Sequence, residues 1–475
     1  MNPIFARLSR RIIRYQLART TSDQLIQLGK KKLIRAFRRA ARHSSAYQIL
    51  LREHDASVCD INTADDFVRR CPVLEKSNTF RRFPIDQLIA SDTDKSQLAS
   101  ILTSSGHGSN GFAIGLSTRK QLKSTATLID MGLELAFDID RYKTLLINCL
   151  PMGVTFQSDT VCVANVSVRE DMACAIVEQA GAAFEQIILC GDPIFLKKLC
   201  DFSQSKGLDW GRYRVNVIVG EETFSESFRD YLALVLNSNP DHPASGLIGS
   251  SMGVGELGLN LFNETRETIA MRRACMAQPD LLIDLFGRSA IDAPVPSFMV
   301  FNPMRTFVEV VNTDKHGNGD LLVSMLDPDI PIPLMRYKTG DKAKLLSTAE
   351  LNAVCRKTNK DFSLPSLPVI ALHGRAKDYL PDGMHLDHFK HLLYADPAIA
   401  AQVSGAFRLT SAVNGLRWEI QLQHGNEISP QSIASSLQAA ASLTYGRVET
   451  ICYSYHDFPH GKSLDYERKF VYWLG

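Results

Sequence analysis

The stretch between residues 142 and 219 constrains the fold most. Three continuous apolar runs, YKTLLINCL at 142–150, EQIILC at 185–190 and RVNVIV at 214–219, are separated by segments 168–182 and 192–206 that read as helices. Short apolar runs without alternation suit strands buried on both faces. Such strands alternating with helices build right-handed crossovers onto a largely parallel sheet, so the expected class is α/β. The third run ends in Gly220-Glu221-Glu222-Thr223, and a helix starts at Ser225. Loops leaving the carboxyl ends of parallel strands are where such sheets take ligands.

The flanks carry other patterns. Residues 24–55 show apolar positions three and four apart, the period of one amphipathic helix. Asn62 or Thr63 can cap a short helix that has Asp65 and Asp66 in its first turn and stops before Pro72. Residues 118–137 read as a further helix. From Phe298 onward short strands dominate (298–302, 307–311, 320–326), which predicts a β-rich subdomain. Beyond Gly374 the pattern is helix 386–394, strands 402–410 and 416–423, helix 430–442 and strand 447–454, a small α+β module able to move as a unit. At 475 residues the chain is too long for one core. The expected division is a basic helical segment 1–95, a core domain 96–374 and a terminal module 375–475.

Composition narrows the function classes. No apolar run approaches the roughly 18 residues of a membrane-spanning helix. The ten cysteines are scattered without a CxxC pair, which predicts a reducing, cytoplasmic setting and no structural zinc. The N-terminal stretch lacks the apolar core and cleavage site of a secretory signal. Being Arg-rich and acid-poor, it leaves a transit peptide open, although its Leu and Ile spacing suits a mature helix better. Residues 1–43 hold twelve Arg or Lys against Asp23 alone, a local charge of +11 in a chain of net +2, so the remainder carries −9. Such a segment is a solvated helical face or a docking surface for an acidic partner, either anionic lipid or an acidic carrier protein. Nucleic acid is disfavoured, since no DNA-reading motif or aromatic interleaving accompanies the charge.

One loop stands out. ILTSSGHGSNGFAIGL at 101–116 reads as a strand end, a turn of glycines and hydroxyl residues, and an apolar segment. Such a turn can bring backbone N–H groups and hydroxyls close to an anion, and equally can be a plain connection. It is not a Walker A loop, because Phe112 and Ala113 stand where Lys and Ser/Thr would follow.

Taken in order, these segments resemble the adenylate-forming (AMP-binding) superfamily, in particular its phenylacetate–CoA ligase-like branch. The opening helices and Pro72-Val73-Leu74-Glu75-Lys76 resemble that branch's N-terminal segment. Ser104, Ser105, Gly106, His107, Gly108 and Ser109 sit where the family has its phosphate loop, with His107 and Gly108 replacing hydroxyl residues and Asn110 the usual lysine. The segment from Gly220, with Glu222 and Thr223, is similar to the one flanking adenine. GSSMGVGELG at 249–258 resembles the Tyr-Gly-x-Ser/Thr-Glu motif, with Met252 for the aromatic residue, Gly253 matching its glycine, Gly255 for the hydroxyl residue and Glu256 matching the Mg²⁺-binding glutamate. The same stretch satisfies GxGxxG, but it lacks the strand and helix of a dinucleotide-binding turn. IPLMRYKTGD at 332–341 resembles the ribose-binding motif almost position for position, Asp341 being the ribose ligand. Gly374-Arg375-Ala376-Lys377-Asp378 resembles the hinge motif, with Arg375 reaching ribose or phosphate and Asp378 as hinge. Phe458-Pro459-His460-Gly461-Lys462 resembles the segment bearing the adenylation lysine, with Lys469 as the alternative.

The resemblance implies a large α/β adenylate-forming domain with a β-rich subdomain and a mobile α+β lid. It also implies ATP and Mg²⁺ as cofactors, a small carboxylic acid as substrate, and coenzyme A or carrier-protein phosphopantetheine as thiol. Two other readings stay open: a non-catalytic nucleotide- or acyl-binding protein, and transfer of the acyl-adenylate to an amine or protein side chain.

Overall fold

The computed structural model describes residues 3–474 apart from 104–112, 152, 240, 241, 243, 244, 359–363, 382, 413, 414, 427, 446, 462–465, 467 and 468. Its contacts divide the chain into two units, Met1–Ala136 with Ser251–Ala376, and Phe137–Ser250 with Lys377–Gly475.

In the first unit, antiparallel strands run in the order Thr306–Val311, Gly319–Met325, Tyr337–Leu346, Val369–Arg375, Ser297–Phe301, Gly258–Asn263 and Ile248–Val254. The β-rich region expected from Phe298 is therefore antiparallel, with Ser297–Phe301 pairing with Val369–Arg375 rather than with the next strand in sequence, and it is completed by strands the sequence did not mark. The helices over residues 22–70 pack on this sheet, with Leu33, Phe37, Tyr47 and Phe67 joining Val308, Leu321 and Val323 in one apolar core. The single helix expected over 24–55 is two, Ser22–His43 and Ser45–Glu53. Ser44 causes the break: it ends the first helix in an extended conformation, and its hydroxyl accepts the Tyr47 N–H to start the next. Thr63 caps Ala64–Arg70 in a reciprocal capping box with Asp66.

In the second unit the expected parallel sheet is present. Strand Gln186–Gly191 lies between Thr144–Asn148 and Arg214–Val219. Cys162–Asn165 extends one edge, and residues 248–250 pair with 217–219 at the other. The C-terminal residues build a separate four-stranded sheet in the order Val448–Tyr453, Gly415–Leu422, Val403–Ala412, Trp473–Leu474. They share an apolar core with residues 137–250: Phe228 and Tyr231 of helix Glu226–Val235 pack on Tyr394 of helix Leu386–Ala395, with ring centroids 4.7 and 5.7 Å apart. Beside them Lys197, fully buried, pairs with Asp201 at 2.5 Å one helical turn on.

Candidate functional site

In the first unit the 249–258 motif folds as a hairpin, not as a dinucleotide turn. Strands Ile248–Val254 and Gly258–Asn263 are joined by a turn that the Leu257 N–H closes onto the Val254 carbonyl at 2.8 Å. Glycine is required at 253, where a Cβ would lie 2.9 Å from the Leu259 Cα. The turn carries Glu256, which is 4% exposed. Its Oε1 accepts the Tyr337 hydroxyl at 2.6 Å and lies 3.7 Å from the Lys76 Nζ. Its Oε2 is buried without a hydrogen-bond partner among the described residues. Burial and the neighbouring Glu256 raise the Tyr337 pKa well above its ordinary value, so the hydroxyl stays a donor.

Lys76 arrives by backbone pairing. The Leu74 N–H donates to the Arg336 carbonyl at 3.0 Å, and the Lys338 N–H to the Leu74 carbonyl at 2.9 Å, which lays residues 72–76 alongside Tyr337. Arg336 itself has φ +48, rare for a side-chain-bearing residue, and is held there by Glu309 at 3.1 Å and by the Ser324 hydroxyl, which accepts its N–H at 2.8 Å.

Four residues along the same strand is Asp341, at most about 13 Å from Tyr337 at the rise of a strand. Asp341 stands opposite Arg375 in the antiparallel register, and its Oδ1 accepts the Arg375 Nε–H at 3.0 Å. The Oδ2 atom is buried with no hydrogen-bond partner among the described residues. The first unit thus gathers Glu256, Asp341, Arg375, Tyr337 and Lys76, two of them carboxylates with an unsatisfied oxygen. A buried polar oxygen left this way costs about 1–3 kcal/mol, which a ligand can recover.

The Ser/Gly loop residues Ser104, Ser105, Gly106, His107, Gly108 and Ser109 lie outside the described residues, but its base does not. Strands Leu98–Thr103 and Ile114–Thr118 pair with Thr103 opposite Ile114, so the two ends of the loop meet. A Cβ at Gly115 would lie 2.5 Å from the Gly255 carbonyl and 3.3 Å from the Glu256 Cα, which seats that base against the Glu256 turn.

The second unit holds a different arrangement. Glu221, with φ +67, accepts Lys469 at both its carbonyl (2.8 Å) and its carboxylate (3.0 Å). The Glu222 carboxylate meets Lys390 at 3.3 Å, the Thr223 carbonyl accepts Lys390 at 3.1 Å, and the Thr223 hydroxyl donates to Asp387 at 3.2 Å. Glu222 and Thr223, expected beside adenine, here anchor the helix Leu386–Ala395. Burial alone would lower the Lys390 pKa, but Glu222, Asp387 and Asp378 outweigh it and the ammonium is stabilised. Asp378 closes the short turn Ala376–Asp378, and the boundary between the units falls between Ala376 and Lys377. Lys462 lies outside the described residues.

The sequence reading gave no role to Lys76, Tyr337, Lys390 or Asp387. For Lys76 and Tyr337 a signal existed, since both sit within motifs already quoted. For Lys390 and Asp387, on an ordinary amphipathic helix, there was none.

Glu256 is also the residue suited to Mg²⁺. The ion takes one or two carboxylate oxygens and completes its shell from phosphate and water, and Glu256 Oε2 is such an oxygen. No group of three or more metal-binding side chains occurs among the described residues.

No family model matches the sequence, and no curated protein matches it. Solved structures do match. A 2-hydroxyisobutyryl-CoA ligase in complex with R3-HIB-AMP is similar over 95% of this chain and 89% of that one, at 11% identity and a TM-score of 0.66. The same ligase in complex with 2-HIB-AMP and CoA is similar over the same shares, at 11% identity and a TM-score of 0.53. The fold is therefore that of the adenylate-forming ligases.

Proposed function

We propose that this chain, having the fold of an adenylate-forming ligase, activates a small carboxylic acid with ATP and passes the acyl group to a thiol. The observation that carries the reading is the pair of buried carboxylate oxygens, Glu256 Oε2 and Asp341 Oδ2, unsatisfied at the two positions where the matched motifs place a metal ligand and a ribose ligand.

Two half-reactions follow. The acid's carboxylate oxygen bonds to the α-phosphorus of ATP and pyrophosphate leaves. The thiol sulfur then bonds to the acyl carbon, its proton passes to solvent, and AMP leaves. Asp341 accepts the ribose hydroxyls, and Arg375, bound to its other oxygen, fixes its orientation. Glu256, steadied by the Tyr337 hydroxyl, would hold Mg²⁺, which supplies positive charge at the phosphates when bound. Two anions meet in the first step, so a lysine is needed as a fixed positive charge. Lys462 is the proposed group and Lys469 the alternative. Asp378 is the proposed hinge. The CoA-bound neighbour supports coenzyme A as the thiol, with carrier-protein phosphopantetheine as the other acceptor.

Pyrophosphate release with ATP, Mg²⁺ and a panel of aromatic and aliphatic acids tests the reading, with hydroxamate trapping to report the acyl-adenylate. Acid-dependent release that is lost in Lys462→Ala or Lys469→Ala supports it. Nucleotide binding without release under every acid overturns it in favour of a non-catalytic binding protein. Hydroxamate formation without thioester when coenzyme A or a carrier is added points to an amine acceptor.

A further inference from the structure

The helix Pro3–Leu17 has three distinct sides. Its inner side is anchored to the helix Arg119–Phe137: Ala6 and Arg10 are buried, Arg10 lies 4.0 Å from Asp130, and Arg14 pairs with Glu134. At about 100° per residue, Phe5, Leu8, Ile12 and Tyr15 fall on the side opposite those anchors. They are 65%, 51%, 49% and 58% exposed. Arg7 and Arg11, both exposed, lie on the helix surface between stripe and anchors, and the Arg19 guanidinium sits 4.2 Å over the Tyr15 ring. The helix that follows, Ser22–His43, exposes Lys31, Arg35, Arg38 and Arg42 along one face.

Single exposed apolar residues need no explanation, but four large ones on successive turns, aimed at solvent and edged by arginine, make a patch with a purpose. Three occupants fit an apolar stripe. A second copy of this chain would bring another segment of charge +11 against the first. An acidic protein would answer the charge. A bilayer carrying anionic phospholipid answers both features at once: the stripe enters the boundary between headgroups and acyl chains, and the arginines meet the phosphates. No helix among the described residues is long and apolar enough to cross a membrane, so the contact lies in the plane of the surface.

We propose that the Pro3–Leu17 helix docks this protein on the surface of an anionic phospholipid bilayer. The inference does not depend on the proposed reaction. Sedimentation of the full chain with phosphatidylcholine vesicles, with and without phosphatidylglycerol, tests it. Binding is expected only with phosphatidylglycerol, falling as salt rises, and a Phe5→Trp probe should shift its emission to the blue on those vesicles. Leu8→Asp with Ile12→Asp should abolish binding, and Arg11→Glu should weaken it by about an order of magnitude. These side chains are exposed, so a circular dichroism melt like the wild type's verifies the fold. Equal binding to neutral vesicles, or undiminished binding by the double variant, overturns the proposal. So does a wild-type dimer that the double variant dissociates, or retention by an acidic carrier protein in place of vesicles.

Discussion

Glu256 and Asp341 in the first unit each keep a buried oxygen with no hydrogen-bond partner among the described residues, whereas Glu221, Glu222 and Asp387 in the second each meet a lysine. Glu221 and Glu222, like Glu256 and Asp341, lie in segments quoted for the resemblance, yet the chain spends the two sets differently. Internal pairing stabilises the second set, and that set holds the Leu386–Ala395 helix against the Glu221–Thr223 loop. The first set stays destabilised until something external satisfies it. Among acidic residues that all look alike in sequence, unsatisfied burial is what sets the proposed ligand carboxylates apart from the internally paired ones.

The sharpest way to break this contrast is Glu256→Gln. Gln keeps an oxygen for the Tyr337 hydroxyl but loses the charge, so acid-dependent pyrophosphate release should fall by about 10²–10³-fold. The melting temperature of the ligand-free protein should stay level or rise, because a buried charge has been removed. Lys390→Met should do the reverse. It leaves Glu222 and Asp387, 14% and 10% exposed, without their ammonium, and should destabilise the protein by about 3 kcal/mol in a denaturant titration. Asp341→Asn is milder, since the Oδ1 contact to Arg375 survives. Nucleotide affinity, read by calorimetry, should drop about tenfold, with no loss of stability in the absence of nucleotide.

How far the sequence discloses this contrast depends on the range of the interactions. The apolar runs that become the strands at 144–219 and the Thr63 cap are set by residues a few positions apart, and their patterns are visible in the chain. Asp341 and Glu256 stand out in the sequence because their flanking residues resemble known motifs. Lys76 reaching Glu256 was not, because it needs Leu74 to pair with the strand at Tyr337, hundreds of positions away. The split at Ser44 was hidden too: the apolar period runs on through it, and only the hydroxyl's preference for the Tyr47 N–H decides. The pairing of Glu222 and Thr223 with Leu386–Ala395 is likewise tertiary, since no local signal distinguishes Lys390 from any exposed helical lysine.

A pH-dependent effect sharpens the contrast from within the second unit. Asp192 caps the helix Pro193–Ser205 by accepting the Phe195 N–H at 3.0 Å, and its pKa is raised to about 7, by burial first and then by Glu222 and Glu221. No lysine pairs with its carboxylate among the described residues. A carboxyl raised in this way binds its proton in the folded chain over a range where the unfolded chain has released it, from about pH 4 to 7. Stability therefore falls as pH rises through that window and levels off above it. Asn keeps the capping oxygen and carries no charge, so Asp192→Asn should melt with the wild type near pH 4 and a few degrees above it at pH 8. Parallel melts at both pH values would show it. If the variant gained nothing at pH 8, the buried acid would have to be compensated after all, and the second unit's carboxylates would then all be satisfied internally, a wider contrast with the first unit's than their contacts indicate.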